Sequence, residues 1–304
     1  MALERGSTLK VTRPASLYRP AILAGLALAF LLLWPRTVPA GNFLWMVSSP
    51  EGKAYLVGSM HAAKPDLYPL PEPFYRAFQD AEVLAVELDV LVVDQERMQA
   101  KIQELGLYAP GDDVFKHASA RTLAWLKKIK LDPQMNRFRP WLLAEILQLQ
   151  ALQSLGFSEQ LGVDRHFLER AASSGMTVVE MESLDFQVRL FADMSETEQD
   201  AFLYYTLAEL DDTQAQMNDL LQSWRRGDAE GFSRTVFEDL KKYPELRGYF
   251  EKVLFKRNEG MTALIEQYLR SGRTHFVIAG AAHLVGPRGI IARLKEKGFR
   301  VDQL

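Results

Sequence analysis

Two stretches of the chain run an apolar segment into a glycine and place a histidine three residues later: "AYLVGSMH", ending at His61, and "FVIAGAAH", ending at His283. The chain has five histidines, so two in matching contexts at opposite ends of the sequence form a candidate pair. Two carboxylates join them. Glu87 interrupts the apolar run "VLAVELDVLVV", where an ionised group is strongly destabilised unless a cation, a metal or hydrogen-bond donors meet it. Glu182 closes "TVVEME", on the strand face shared by Val178 and Glu180. A further signal lies in the helix before the second histidine. Its apolar stripe runs through Leu246, Phe250, Val253 and Leu254 and resumes at Met261, Leu264, Ile265 and Tyr268. Arg257 and Asn258 fill the missing turn, and a guanidinium on a core-facing stripe needs an acidic or anionic partner.

There is no cysteine, which removes disulfides, thiolate zinc sites and cysteine nucleophiles. Two histidines with one or two carboxylates suit Zn, Mn, Co or Fe. The glycine before each histidine is expected to let the backbone turn sharply or approach the ion closely. His117 and His166 read as structural or exposed residues of amphipathic helices, and His275 as a solvent-side residue at a strand start. Asp164 reads as a helix cap or as a support for a ligand. No H-E-x-x-H, Walker loop or G-x-S-x-G elbow is present, so the conventional protease and NTPase signatures are missing.

The elements that must position these groups follow from the pattern. "FLWMVSS" and "KAYLVGS" flank Pro50-Glu51-Gly52 and predict a hairpin. "PEPFYRAFQDA" predicts a short helix and "EVLAVELDVLVV" a strand. Helical periodicity then holds through "RTLAWLKKIKL", "PWLLAEILQLQALQSLGF" and "GVDRHFLERAASSGM". "MTVVEME" returns to strand. A second helical block starts at the capping-box spacing of Ser195 and Glu198 and runs, with breaks at Gly227 and Pro244, to about Arg270. The chain closes with the strand "THFVIAGAAH", a helix and the strand "FRVDQL". Strands separated by helices predict an α/β fold: a mostly parallel central sheet, helices on both faces and a large helical insertion. In such a sheet His61, Glu87, Glu182 and His283 all fall at the carboxyl ends of strands, where open α/β sheets bind ligands.

With 304 residues, 48% hydrophobic and 25% charged, the chain has material for a sizeable core. Its first 40 residues differ from the rest. Arg5, Lys10, Arg13 and Arg19 precede the apolar run Ala21–Trp34, and Val38 and Ala40 stand where a signal peptidase reads small residues. Residues 1–40 are therefore expected to be a secretory signal peptide, or failing cleavage a signal anchor, with residues 41–304 a single domain that is periplasmic or secreted. Residues 1–40 hold five of the 36 basic and one of the 39 acidic residues, so 31 basic face 38 acidic beyond them. That balance of −7 argues against a nucleic-acid partner.

The ordered blocks "LWMVSSPEGKAYLVGSMH", "YPLPEPFYRAFQDAEVLAVELD", "LGVDRHFLERAASSGMTVVEMESLDFQ", "KRNEGM" and "HFVIAGAAHLVGPRGIIARLKEKGFRV" resemble the TraB/GumN family, which also contains the Tiki metalloproteases. The resemblance implies an α/β fold shared with erythromycin-esterase-like and ChaN-like proteins. For the Tiki branch it implies a divalent-metal-dependent peptidase whose two G-x-x-H histidines fall on His61 and His283 and whose glutamate falls on Glu87. Glu182 matches the acidic residue of a later block, and Arg257 and Asn258 match its Arg-Asn pair. The expectation is an exported metal-dependent hydrolase acting on a peptide or protein, with Mn, Co or Zn, or Fe, held by His61, Glu87 and His283. In it Glu182 serves as general base, and Arg257, beside Asn258, stabilises an oxyanion or fixes a substrate carboxylate. The alternative is a non-catalytic envelope protein that binds haem, iron or a peptide, with Tyr55 or Tyr68 as an iron ligand, or an accessory of polysaccharide assembly.

Overall fold

The hairpin forms where the Pro-Glu-Gly turn places it. Strand β1 (Leu44–Ser48) runs antiparallel to β2 (Lys53–Ser59), closed by the Ser49 N–H on the Gly52 carbonyl. The structure, a computed structural model, describes residues 41–304. The signal-peptide and anchor expectations for residues 1–40 lie outside them. After β2 the chain crosses through helix α1 (Glu72–Asp80), which buries Phe74, Ala77 and Phe78, to β3 (Val83–Val86). The first long crossover holds α2 (Gln95–Gly106), α3 (Val114–His117), α4 (Ala120–Ile129), α5 (Pro140–Ser154) and α6 (Val163–Ser174), and returns as β4 (Thr177–Glu180). The second holds α7 (Leu184–Ala192), α8 (Glu196–Glu209), α9 (Thr213–Arg225), α10 (Ala229–Lys242), α11 (Arg247–Phe250) and α12 (Lys256–Arg270). Strand β5 (His275–Gly280), the single turn α13 (Ala281–Leu284), α14 (Ile290–Glu296) and β6 (Arg300–Gln303) complete the fold.

The six strands lie in the order β4-β3-β5-β2-β1-β6. Strands β4, β3, β5 and β2 are mutually parallel, and β1 is antiparallel to both of its neighbours. Five of the six strands thus point one way, and β1 is the exception that its tight hairpin enforces. Every residue of β5, and all of β2 after Lys53, is buried. Successive strand side chains face opposite ways, so both faces are covered by other elements, as their unbroken apolar sequences require.

The helical insertion comes from both crossovers. Tyr108, Val114, Leu126, Leu143, Phe202, Leu203 and Leu207 form a second core, separate from that of the sheet, in which α5 packs on α8. The capping box of Ser195 and Glu198 opens α8 as expected.

Two elements differ from the sequence reading. The run "VLAVELDVLVV" predicts one long strand with Glu87 inside it, but β3 stops at Val86 and Glu87 is the first residue beyond its carboxyl end. Past it the chain turns outward, leaving Val92 72% exposed. The helix carrying Arg257 is not uniform either. Glu251–Phe255 form a π turn between α11 and α12. This wider turn lies just before Arg257 and Asn258, which both face inward, where the stripe spacing puts them.

Candidate functional site

Sheet register brings the candidate residues together. Ser59 of β2 stands opposite Gly280 of β5, and Val86 of β3 opposite Ile278. His61 follows β2 by two residues, Glu87 follows β3 by one, and His283 sits in the turn α13 that β5 enters directly. Glu182 follows β4 by two, its N–H donating to the Glu87 carbonyl at 3.0 Å. All four lie at the carboxyl edge of the parallel strands.

Glu87 is the hub. One carboxylate oxygen accepts the Gly280 N–H at 2.6 Å, and the other accepts Arg257 Nη2. The same guanidinium donates through Nε and Nη2 to the two oxygens of Glu182, at 2.8 and 2.7 Å, and through Nη1 to the Val253 carbonyl at 3.1 Å. Arg257 is 8% exposed and bridges both carboxylates, so it fixes the two. Burial works to raise the Glu87 carboxyl, but His283, Arg257 and His61, with the Gly280 N–H, outweigh it and hold it at about 2. His283 is itself neutral at pH 7, so the standing charges that keep Glu87 ionised are those of Arg257 and, more weakly, the protonated His61.

The histidines are anchored alike at Nδ1 and differ in everything else. His283 is 5% exposed, and burial, reinforced by Arg257 and His61 against the pull of Glu87, pushes it down to about 4. Its Nδ1 meets Asn258 Oδ1 at 2.6 Å, while Asn258 Nδ2 donates to the Arg288 carbonyl at 2.9 Å. That second bond sets the amide orientation, so Nδ1 carries the proton. Nε2 keeps its lone pair, 3.9 Å from a Glu87 oxygen and beyond hydrogen-bond reach of it. His61 Nδ1 lies 3.2 Å from Asp164 Oδ2, and Ser59 Oγ donates to Asp164 Oδ1 at 2.7 Å. Although deep in the molecule, His61 exposes 56% of its side chain, because that surface faces a cleft. Burial opposes its protonation, but Asp164 and more weakly Glu87 prevail and push it up to about 9.

The two G-x-x-H glycines do different work. A Cβ on Gly280 would stand 2.8 Å from His61 Nε2 and 3.5 Å from both Glu87 Oε1 and His283 Cδ2, so the bare α-carbon leaves open the point where the three groups meet. A Cβ on Gly58 would meet the Phe43 ring at 2.4 Å, a demand of core packing alone. The missing side chain thus leaves open space between polar groups at Gly280 and serves packing at Gly58.

The cleft has two lobes, of about 540 and 520 Å3. His61, Glu87, Glu145, Glu159 and Arg257 line both. Leu149, Met217, Leu220 and Phe232 give the first lobe an apolar wall. Among the described residues, no three His, Asp or Glu side chains stand close enough together to ligate one ion as they are placed.

The model of the TraB/PrgY/gumN family matches residues 43–303, nearly all of the described chain. The chain belongs to the TraB/PrgY/gumN family. It is also similar to two curated proteins, each called "Uncharacterized protein YbaP". The one from Shigella flexneri is 26% identical over 169 residues, covering 53% of this chain and 56% of that protein. The one from Escherichia coli (strain K12) is 26% identical over 168 residues, covering 52% and 56%. The chain spans about half the length of the curated relatives it matches. No solved structure matches.

In this TraB/PrgY/gumN chain the six residues singled out from the sequence converge, but their surroundings separate them. His61, Glu87 and His283 face one another, while Glu182 and Asn258 lie behind Glu87 and His283, and Arg257 lines the cleft with its guanidinium clamped. Tyr55 and Tyr68, the iron ligands of the haem reading, do not line the cleft. The Tyr55 hydroxyl donates to Asp80 at 2.7 Å, and the Tyr68 hydroxyl to the Leu161 carbonyl at 2.8 Å. His275 is buried and stacked on Tyr268, not solvent-facing. The sequence reading passes over Glu145, whose helix α5 is apolar around much of its circumference. In the fold this carboxylate faces the cleft, and burial alone pushes it up to about 7. The signal that could have found it is an acid in the fully apolar turn "WLLAEIL".

Proposed function

We propose that this protein is an exported metal-dependent hydrolase, and more narrowly a peptidase. The observation that carries the reading is the pairing of two histidines whose Nδ1 atoms are each tied to an oxygen, Asp164 for His61 and Asn258 for His283, with Gly280 leaving room where their other edges meet Glu87. Anchoring one ring nitrogen so that the other is presented is how proteins prepare imidazole for a metal. The donor set of two nitrogens and a carboxylate, without thiolate, fits Zn, Mn or Co and allows Fe. His61, Glu87 and His283 would hold the ion. When bound, such an ion polarises a carbonyl and lowers the pKa of water.

The chain's own residues do the rest. Arg257 holds Glu87 ionised and in place, and Glu182 holds Arg257. Asn258 keeps the His283 proton on Nδ1, so that Nε2 offers a lone pair. Asp164 orients His61 toward the cleft; holding an ion there would require His61 to give up its proton, so affinity would rise with pH through the neutral range. In this arrangement Glu182, Arg257 and Asn258 act by positioning. Glu182 spends both oxygens on Arg257 and lines neither lobe of the cleft, which leaves it poorly placed as a general base. The apolar walls beside the site suit a substrate with hydrophobic side chains, such as a peptide. Export rests on the basic and apolar pattern of residues 1–40.

Metal content of the purified chain by mass spectrometry, after reloading with Mn, Co, Zn or Fe, tests the reading. The expected result is one ion per wild-type chain, none in a folded His61→Ala, His283→Ala double variant, and peptide cleavage that follows the metal. An absence of metal from the wild type would remove the hydrolase.

A further inference from the structure

The charges of the cleft do not balance. Glu87 is answered by Arg257, and Asp164 by His61. The other arginine of the second lobe, Arg165, pairs with Glu169 on its own helix. No lysine lines either lobe. Two carboxylates remain, Glu145 and Glu159, and they are not equivalent. Glu159 sits at the exposed rim. Glu145 projects from α5 into the place where the lobes join and has no hydrogen-bond or ion-pair partner among the described residues; only burial acts on its carboxyl. Glu145 is partly buried, facing the cleft; a carboxylate half removed from water and without a partner is costly, and an arriving cation relieves that cost. Beside it the first lobe is apolar through Ile146, Leu149 and Leu220.

We infer that Glu145 is a specificity residue: the cleft takes a substrate group that joins an apolar body to an ammonium, and the Glu145 carboxylate receives that ammonium. Two ammonium groups in peptides have this chemistry, an α-ammonium next to a hydrophobic side chain and the ammonium of a lysine on its four-carbon stem. The inference names the substrate class of the hydrolase proposed above and rests on that reading for its biological meaning, but it concerns binding and is tested without turnover.

The test is calorimetric titration of the metal-free full-length chain with two pairs of probes. Leucinamide against N-acetyl-leucinamide isolates a terminal ammonium, and N-acetyl-lysinamide against N-acetyl-norleucinamide isolates a side-chain one. In one pair the charged member is expected to bind about tenfold or more tighter than its neutral twin, the scale of one charge-assisted hydrogen bond. Glu145→Gln, which keeps the shape of the side chain, should erase that preference while leaving the neutral probe's affinity unchanged, and Glu159→Gln should retain it. The pair that responds identifies the source of the charge. Equal affinities within both pairs, or a preference that survives Glu145→Gln, would overturn the inference. So would loss of peptide cleavage in Glu145→Gln with cation preference intact, which would make Glu145 a proton carrier instead. A preference seen in a chain that holds no metal and cleaves no peptide would sink the hydrolase and leave this inference standing.

Discussion

His61 and His283 occupy the same local sequence, an apolar strand followed by G-x-x-H, and end in opposite states. His283 is enclosed, neutral and tied to an amide; His61 opens on the cleft, is tied to a carboxylate and carries a proton at pH 7. Local sequence puts each ring at a strand end; burial then keeps His283 neutral while Asn258 orients it, and Asp164, reaching His61 from another element, holds the His61 proton. Asn258 and Asp164 come from helices α12 and α6, far apart in sequence. Duplication of a motif therefore does not duplicate its chemistry.

The strongest way to break the comparison is to remove what both corners share. Arg257→Met leaves Glu87 and Glu182 buried side by side without a cation, and should cost about 3–5 kcal/mol in denaturant unfolding. Glu182→Gln in the same chain should recover part of that loss. The glycines come next. Gly58→Ala drives a methyl into Phe43 and should cost about 1–3 kcal/mol. Gly280→Ala meets only the cleft-facing His61 ring at close range, so it should cost less, while abolishing metal uptake measured by mass spectrometry. Among the anchors, Asn258→Leu strands the His283 N–H and should cost about 1–3 kcal/mol, whereas Asp164→Asn, beside a cleft-facing ring, should cost under about 1 kcal/mol.

The smallest effects are the most diagnostic. The folded-state pKa of His61 is raised, so its contribution to metal-free stability is complete below about pH 6.5 and disappears as pH rises through about 9. That of His283 is lowered, so its contribution is present above about pH 6.5 and disappears as pH falls through about 4. Ring titrations by NMR should show both midpoints. Asp164→Asn should move only the upper one toward the ordinary histidine value, and equal movement of both would end the distinction between the corners.

Much of the frame is legible in the sequence because it is written in local pattern. The hairpin turn, the Ser195 capping box, the breaks at Gly227 and Pro244, and the polar interruption of an apolar stripe at Arg257 and Asn258 each follow from a few adjacent residues. Glu87 and Arg257 are flagged by the same logic, since a charge in an apolar run must find a partner. Which partner it finds is not local. The pairing of Arg257 with two carboxylates depends on where β3 stops, at Val86, and on sheet register that brings Glu87 beside Glu182. The burial of His275 depends likewise on Tyr268 reaching over it, and the role of Glu145 depends on where α5 lies.

Glu145 rides on a helix that belongs to the second core, while His61, Glu87 and His283 hang from the sheet. The wall that would choose the substrate and the floor that would transform it are thus stabilised by different sets of side chains. Substitutions among Leu143, Phe202 and Leu203 can reshape the opening without touching the strand ends, so selectivity can drift between descendants of one ancestor while their reactive centre stays as it was.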